Sequence, residues 1–356
     1  MTSEKRVVIL NDTAKLEHHG CRLVSDMLAA EFVINGIRVN RIPIGRMWRQ
    51  HIKVVNSASV VIINGEGTFH HSSRYAADLL QIVPHCNRLK IPVILLNSTW
   101  QDNSERMISL ARGLDRIFVR ESFSRNDLEK NGIASQVVPD LSLRLAKFRT
   151  LQPRGSKGSR LYLGSADLET DEIIATIATR DPNGELTSIA TPRKRYTPIP
   201  ELGSPNLLNW PNLRTLDKRD PILHALMSAV LSIPEITSER SSKSRKTEKT
   251  LEKLSLDALM EKLNGAEMVL SGRFHGICIS MLSSTPFWGS KSNSHKIEGM
   301  LHDADLSHRI ISELTEDVRI QSMMPWGDSE SSKVIVYIKW AIERQDEMFS
   351  EIIGMI

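Results

Sequence analysis

Ser59-Val-Val-Ile-Ile63 is an unbroken apolar run, and it passes straight into Asn64-Gly-Glu-Gly-Thr-Phe-His-His71. A strand with one wet face would alternate apolar and polar residues. A run apolar at every position is buried on both faces, as in a parallel sheet covered by helices. The pattern recurs upstream at Arg6–Leu10 (RVVIL) and downstream at Pro92–Leu96 (PVILL). Ile37–Ile42, Arg116–Val119 and Gln136–Val138 add shorter strands. Between them lie segments of helical character: Cys21–Phe32, with Leu23, Met27, Ala30 and Phe32 at helical spacing, then Met47–Val54, Tyr75–Leu89, Arg106–Leu114 and Ser122–Lys130. Asn131-Gly132 ends the last of these with suitable stop chemistry. Strands alternating with helices predict an α/β architecture with a parallel sheet.

The 356 residues favour two domains at roughly 100–200 residues each. Gln152–Ser159 (QPRGSKGS) reads as a linker. It divides the chain into an N-terminal domain over 1–150 and a C-terminal one over 151–332. In the second domain Arg160–Gly164 and Leu186–Ala190 read as strands around a helix at Thr170–Thr179. Thr191–Pro221 reads as long loops and Ile222–Leu231 as a helix. Leu256–Leu263 is a helix, Glu267–Ser271 a strand leading into a helix through Met281, and Pro286–Trp288 a short strand before a helix at Lys296–His302. Residues 333–356 form an amphipathic helix, with Ile338, Ile342, Phe349, Ile353 and Ile356 near one face, expected to pack back on the protein. Glu239–Lys253 carries six Lys/Arg and is either a solvated loop or a docking surface for an anionic acceptor or membrane.

Composition narrows the function classes. Hydrophobic residues at 40% and charged residues at 25% suit a globular protein and not a disordered one. Aromatics are only 5%, too few for base-stacking platforms, and a net charge of +4 is too small to imply nucleic acid. That mild excess suits an anionic small molecule or membrane surface. No apolar run reaches about 18 residues, so no membrane span is expected, and the N-terminal stretch reads as a first strand and not a signal peptide. Cys21, Cys86 and Cys278 are widely spaced and include no C-x-x-C, which fits reduced thiols in a cytoplasm and neither zinc nor a disulfide framework.

Ligands of open parallel sheets bind beyond the carboxyl ends of the strands. The candidate site residues therefore follow the strands. In Asn64–His71, Gly65 and Gly67 allow close backbone approach, and Glu66, Thr68, His70 and His71 are available for ligand contact. The loop lacks the G-x-G-x-x-G and Walker patterns, and the two adjacent histidines are expected to point apart. Arg120, after Arg116–Val119, is either an anion fork or the partner of Glu121. Asp140 either accepts sugar hydroxyls or caps a turn. Gly272-Arg273-Phe274-His275-Gly276 is the richest stretch, because it sets a cation and a proton-transferring imidazole together at a strand-to-helix junction. In Ser292–Lys296, Asn293 or Ser294 can cap a helix. Lys296 puts positive charge at its positive end, which calls for an anion.

Together these loops resemble the polysaccharide pyruvyl transferase family, through NGEGTFHH (64–71), VRESFSRNDL (119–128), VPDL (138–141), SGRFHG (271–276) and SNSHKIEGML (292–301), in order across roughly residues 5–305. Glu66 stands where the family's loop often reads Gly-Gly-Gly, and His18-His19-Gly20 stands in the region of its early Gly-Asp. The resemblance implies two Rossmann-like domains facing across a cleft, similar to GT-B glycosyltransferases. It implies transfer of the pyruvyl group of phosphoenolpyruvate to a sugar as a ketal, without metal or nucleotide cofactor. Arg273 and His275 match the family's Arg-x-His, donor-binding cation and acid, and Arg120 matches a second donor-binding Arg. Ser294, His295 and Lys296 are expected on the donor side. Gly65, Glu66, Gly67, Thr68, His70, His71 and Asp140 are expected on the acceptor side. The acceptor is a lipid-linked oligosaccharide, a nucleotide sugar or a finished glycan unit, met in the cytoplasm or at the inner membrane face. The competing expectations are a GT-B glycosyltransferase using a nucleotide sugar and a non-catalytic relative, whose mark would be loss of Arg273 or His275.

Overall fold

A computed structural model describes residues 4–149, 158–191, 251–318 and 323–356. The loops of 192–221, the helix expected at Ile222–Leu231, most of the expected linker and most of the basic Glu239–Lys253 stretch lie outside the described residues.

The chain forms two parallel-sheet α/β domains. The first sheet contains β1 (Arg6–Asp12), β2 (Arg38–Pro43), β3 (Val60–Glu66), β4 (Val93–Ser98), β5 (Arg116–Val119) and β6 (Gln136–Val137), in the order β2-β1-β3-β4-β5-β6. The second contains β7 (Arg160–Ser165), β8 (Gly184–Leu186), β9 (Met268–Gly272), β10 (Phe287–Ser290) and β11 (Ile310–Ile311), in the order β11-β10-β9-β7-β8. All paired strands are parallel. Each sheet begins in its middle and reverses direction once, between β1 and β3 in the first and between β7 and β9 in the second. Such reversals open a crevice at the carboxyl ends of the strands concerned.

The helices are α1 (His19–Ile34), α2 (Ile52–Val55), α3 (Arg74–Leu80), α4 (Ile82–Leu89), α5 (Glu105–Ala111), α6 (Ser122–Glu129), α7 (Leu168–Arg180), α8 (Leu256–Asn264), α9 (Phe274–Leu282), α10 (Lys296–Asp303) and α11 (Asp328–Gly354). Three sequence readings are corrected. Tyr75–Leu89 is not one helix but breaks at Gln81. Pro84 has no N–H to give Leu80, and a restart at Ile82 puts it in a first turn, where none is needed. Leu186–Ala190 is not a strand: pairing with β7 covers Gly184–Leu186 and stops. The strand expected to end at Ile63 runs on to Glu66, and the next helix starts only at Arg74, so Asn64–His71 does not lead into a helix N-terminus.

Two helices serve both halves. On α1, Val24, Leu28 and Phe32 pack into the core of the first sheet, while Leu23 and Met27 join Leu161, Val269 and Ile277 of the second. On α11, Val334, Tyr337, Ile338 and Ala341 belong to the second core and Met348, Phe349 and Ile352 to the first. Among the described residues, no helix is long and apolar enough to cross a membrane.

Candidate active site

Backbone conformation marks the carboxyl ends of the first sheet. Asn11 on β1, Glu66 on β3 and Asn97 on β4 all have left-handed φ, at 59°, 37° and 53°. Asparagine tolerates this region, but glutamate there carries strain of about 1–3 kcal/mol. Position 66 thus has a backbone that glycine would adopt freely, and the chain holds a buried carboxyl there instead. The Asn11 amide ties the end of β1 to the end of β3 and its loop, donating to the Asn64 carbonyl at 2.6 Å and to Thr68 Oγ1 at 3.3 Å. Gly65 is required by close packing: a Cβ would fall 2.4 Å from Ser98 Cβ. Gly67 faces open space and is exposed. Gly65→Ala is expected to cost about 1–3 kcal/mol as an overpacked core change, read as a lower urea midpoint with an unchanged slope. A midpoint equal to wild type would show that β4 yields freely.

A buried polar network links the two sheets. Arg120 donates to Asp140 Oδ2 at 3.1 Å, to Thr99 Oγ1 at 2.6 Å and to the Glu66 carbonyl at 3.1 Å, and its guanidinium lies 4.3 Å over the Phe274 ring. Its ionic partner is Asp140 and not the neighbouring Glu121. Asp140 accepts from the Ser142 N–H at 2.9 Å, so it does cap a turn, and its Oδ1 lies 3.6 Å from His275 Nε2. Burial works against the Asp140 charge, yet His275, Arg120 and Ser142 hold its carboxyl well below the usual range. Burial pushes the Glu66 carboxyl up to about 7, Asp140 adding to the push and His275, Thr13 and Arg120 opposing it.

His275 is the second residue of α9 and is 8% exposed. Its ring packs directly on the first turn of α1, where a Cβ on Gly20 would fall 2.0–2.5 Å from its Cγ, Cβ and Nδ1. The His18 ring lies 5.2 Å away between centroids. Among the described residues, His18, Cys21 and His275 also gather three metal-type donor atoms within 4.8 Å of one another. Arg273 precedes α9 as its N-cap and is half-buried. Beyond β9, a Cβ on Gly272 would fall 2.4 Å from Ser165 Oγ and 2.8 Å from Ser290 Oγ, so this crossover also needs glycine.

Lys296 opens α10 and is buried. The N-cap is His295, without a side-chain cap bond. Asn293 and Ser294, read from sequence as caps, instead accept from Lys296 Nζ, Ser294 at 3.2 Å. Burial, followed by repulsion from Arg120, pulls the Lys296 ammonium down to about 7, Glu298 offsets part of this, and Arg273 adds to the repulsion. His295 lies against α6: its N–H donates to Gln101 Oε1 at 2.8 Å, and its Nε2 is 3.4 Å from Glu121 Oε1. Gly299 leaves room for that same Glu121 carboxyl.

His70 and His71 do not point apart, since their Nδ1 atoms are 2.8 Å from each other. Burial and the nearby Lys296 cation pull His70 down to about 4. His71 continues to Asp102 at 3.5 Å. The structure thus brings Glu66, Arg120, Asp140, Arg273, His275 and Lys296 into one electrostatically coupled group. His70 reaches it through Lys296. His295 and His71 bond away from it, to Glu121 and Asp102. The half-buried Thr68, His70 and Arg273 and the exposed Gly67 border it. Asn11, Thr99 and Gln101 are not singled out by the sequence, and Gly20 appears there only within His18-His19-Gly20. Their roles come from residues distant in the chain, and only the H-x-x-C spacing of His18 and Cys21 left a local trace.

The polysaccharide pyruvyl transferase family profile matches residues 21–294, well over half of the chain. The chain therefore belongs to the polysaccharide pyruvyl transferase family, transferases acting on polysaccharide. No curated protein matches it. Among solved structures it is similar to a functionally uncharacterized Klebsiella pneumoniae protein, with 12% identity over 87% of this chain and 94% of that one at a TM-score of 0.46. It is also similar to Glycyrrhiza uralensis UGT73P12, with 9% identity over 99% and 96% at 0.49. A third likeness is to UDP-GlcNAc 2-epimerase of Methanocaldococcus jannaschii, with 12% identity over 95% and 92% at 0.40.

Proposed function

We propose that the protein moves the pyruvyl group of phosphoenolpyruvate onto a sugar of a polysaccharide or its precursor and closes it as a ketal. The observation that carries this reading is Lys296, a buried lysine crowded by Arg120 and Arg273. A lysine in that position is costly until an anion arrives, and phosphoenolpyruvate brings a carboxylate and a phosphate. Arg273 and Lys296 hold those groups, while Arg120 adds its charge from beneath and fixes Asp140. Asp140 orients the His275 ring and faces its positive charge.

In the first step a sugar hydroxyl oxygen bonds to C2 of the enol. His275 gives a proton to the methylene carbon, which becomes the methyl group. The hydroxyl proton leaves to Glu66 or water. In the second step a neighbouring hydroxyl of the same sugar bonds to C2 as the C2–O bond to phosphate breaks, and its proton leaves with the phosphate or to water. The cations stabilise the departing phosphate. His275 then recovers its proton from solvent. Acceptor contacts are assigned to the loop of Gly65–His71 and Glu66, with the half-buried Thr68 and His70 as the accessible ones.

The reading is tested by incubating the protein with phosphoenolpyruvate and a panel of sugar acceptors. The expected result is a product heavier by one pyruvyl group and one phosphate released per transfer. Turnover with nucleotide sugars alone would replace it with glycosyl transfer.

Lys296→Met provides a second check. The folded-state value near 7 lies below the ordinary 10.5. Between these values the unfolded chain binds more protons, so this group's contribution to stability rises with pH. Its cost is complete below about pH 7 and gone above about 10.5. The variant is expected to melt higher than wild type at pH 6.5, by roughly 2–4 °C per kcal/mol relieved, and to match it near pH 10.5. It should also lose most of the stabilisation that phosphoenolpyruvate gives wild type. Equal ligand-induced shifts in the two proteins would remove Lys296 from the donor site.

A further inference from the structure

The geometry points to a binding site for a divalent transition-metal ion of the zinc class, made by His18, Cys21 and His275. An ion held there takes the imidazole out of proton transfer. One ring nitrogen from each histidine and the Cys21 thiol lie within 4.8 Å of one another. A tetrahedral ion with these ligands sets donor separations of about 3.3–3.6 Å, which side-chain rotation of about 1 Å per donor reaches. Two imidazoles and a thiolate are a donor set that selects zinc-like ions over magnesium or calcium.

Each ligand is already held in place. His18 is the N-cap of α1 and accepts the Cys21 N–H on Nδ1 at 3.3 Å, so ring and thiol leave the helix start on one side. His275 turns its Nδ1 edge toward this same turn of α1, the edge that excludes a Cβ from Gly20. Its other nitrogen, Nε2, is buried without a hydrogen-bond partner and faces Asp140 Oδ1 at 3.6 Å. That is the carboxylate–histidine–metal order in which an outer carboxylate orients a ligand ring. Glu66, whose charge acts on the Cys21 thiol and whose Oε1 is buried without a hydrogen-bond partner, is the candidate fourth donor. Asp140 and Glu66 offset the repulsion an ion would meet from Arg273. Binding expels the thiol proton to solvent, so M²⁺ and Cys–SH give a metal thiolate and H⁺. The inhibitory half of this inference rests on His275 acting in the transfer proposed above; the binding half does not.

The test is a titration of the full chain with Co²⁺ in a non-chelating reductant, followed by absorption. One equivalent is expected to produce a thiolate-to-metal charge-transfer band in the near ultraviolet, and Zn²⁺ should bleach it. Cys21→Ser should abolish the band, whereas Cys86→Ser should keep it. If Cys21→Ser does not fold, His18→Asn is read instead. It should weaken binding by at least the roughly 10–100-fold that loss of an outer partner already costs. No charge-transfer band in wild type, a band that survives Cys21→Ser, or unchanged affinity in His18→Asn overturns the site. Zn²⁺ is further expected to stop phosphate release and a chelator to restore it. Unchanged turnover at saturating Zn²⁺ overturns the inhibitory half. Binding is read without turnover, so its failure and the failure of the transfer reading are distinguishable.

Discussion

Replacing His275 by Gln is expected to lower turnover by about 10²–10⁴-fold, the usual worth of one positioned general acid, with little change in the KM for phosphoenolpyruvate. Glutamine is close in size and keeps an N–H-bearing group near Asp140, 3.6 Å from the His275 Nε2 position. It has no proton to release near neutrality. The cations that would grip the donor, Arg273 and Lys296, are untouched. The effect therefore belongs in kcat and not in binding, which is how loss of an interaction made only in the transition state shows itself. Circular dichroism and a thermal melt establish that the variant is folded. A folded variant with near-wild-type turnover would strip His275 of the acid role.

Gly20→Ala should be nearly as damaging, although Gly20 is expected to touch neither substrate. An added methyl group would lie 2.0 Å from the Cγ of His275, far inside contact distance. The His275 Cβ is also 2.3 Å from that methyl group, so ring rotation alone does not relieve the contact; the two helix starts must move apart, which carries the ring off Asp140. A displacement of about 1 Å from a productive arrangement can cost about 10²-fold. Stability responds differently. Alanine gains up to about 1 kcal/mol over glycine in a helix, which partly offsets the overpacking, so a folded but slow enzyme is expected. A double-mutant cycle separates the contributions. The stability cost of Gly20→Ala should shrink in a His275→Ala background, with a coupling of about 0.5–3 kcal/mol, and should not vanish, because alanine keeps the Cβ that lies 2.3 Å from the added methyl group. Additive effects would mean that the ring and the glycine do not share the space.

The strands were legible because both faces of each sheet are covered. RVVIL, SVVII and PVILL need no alternation and leave no other reading. The positions of site residues after strands were legible for the same reason, since the crevice rule depends only on where strands end. Partners were harder. Arg120 has Glu121 beside it in sequence, yet pairs with Asp140, because the end of β6 lies next to the end of β5. The family resemblance raises position 66 as an oddity, but its meaning emerges only with a φ of 37° under a buried carboxyl. Gly20 shows in sequence only as part of the His18-His19-Gly20 departure from the family's early Gly-Asp, and its purpose stays hidden because what it makes room for stands at position 275. Helix ends such as Gln81 depended on which turn a proline falls in, and periodicity does not register that.

The last long helix has a bearing on how the molecule is made. Its earlier turns complete one hydrophobic core and its later turns the other. During synthesis the first lobe would thus leave the ribosome with an apolar gap beside Phe32 and Leu141, and would keep it while more than half of the polypeptide was still being translated. Neither core is complete until that helix has been made, and apolar surface left open in this way is what makes partly folded chains prone to aggregation.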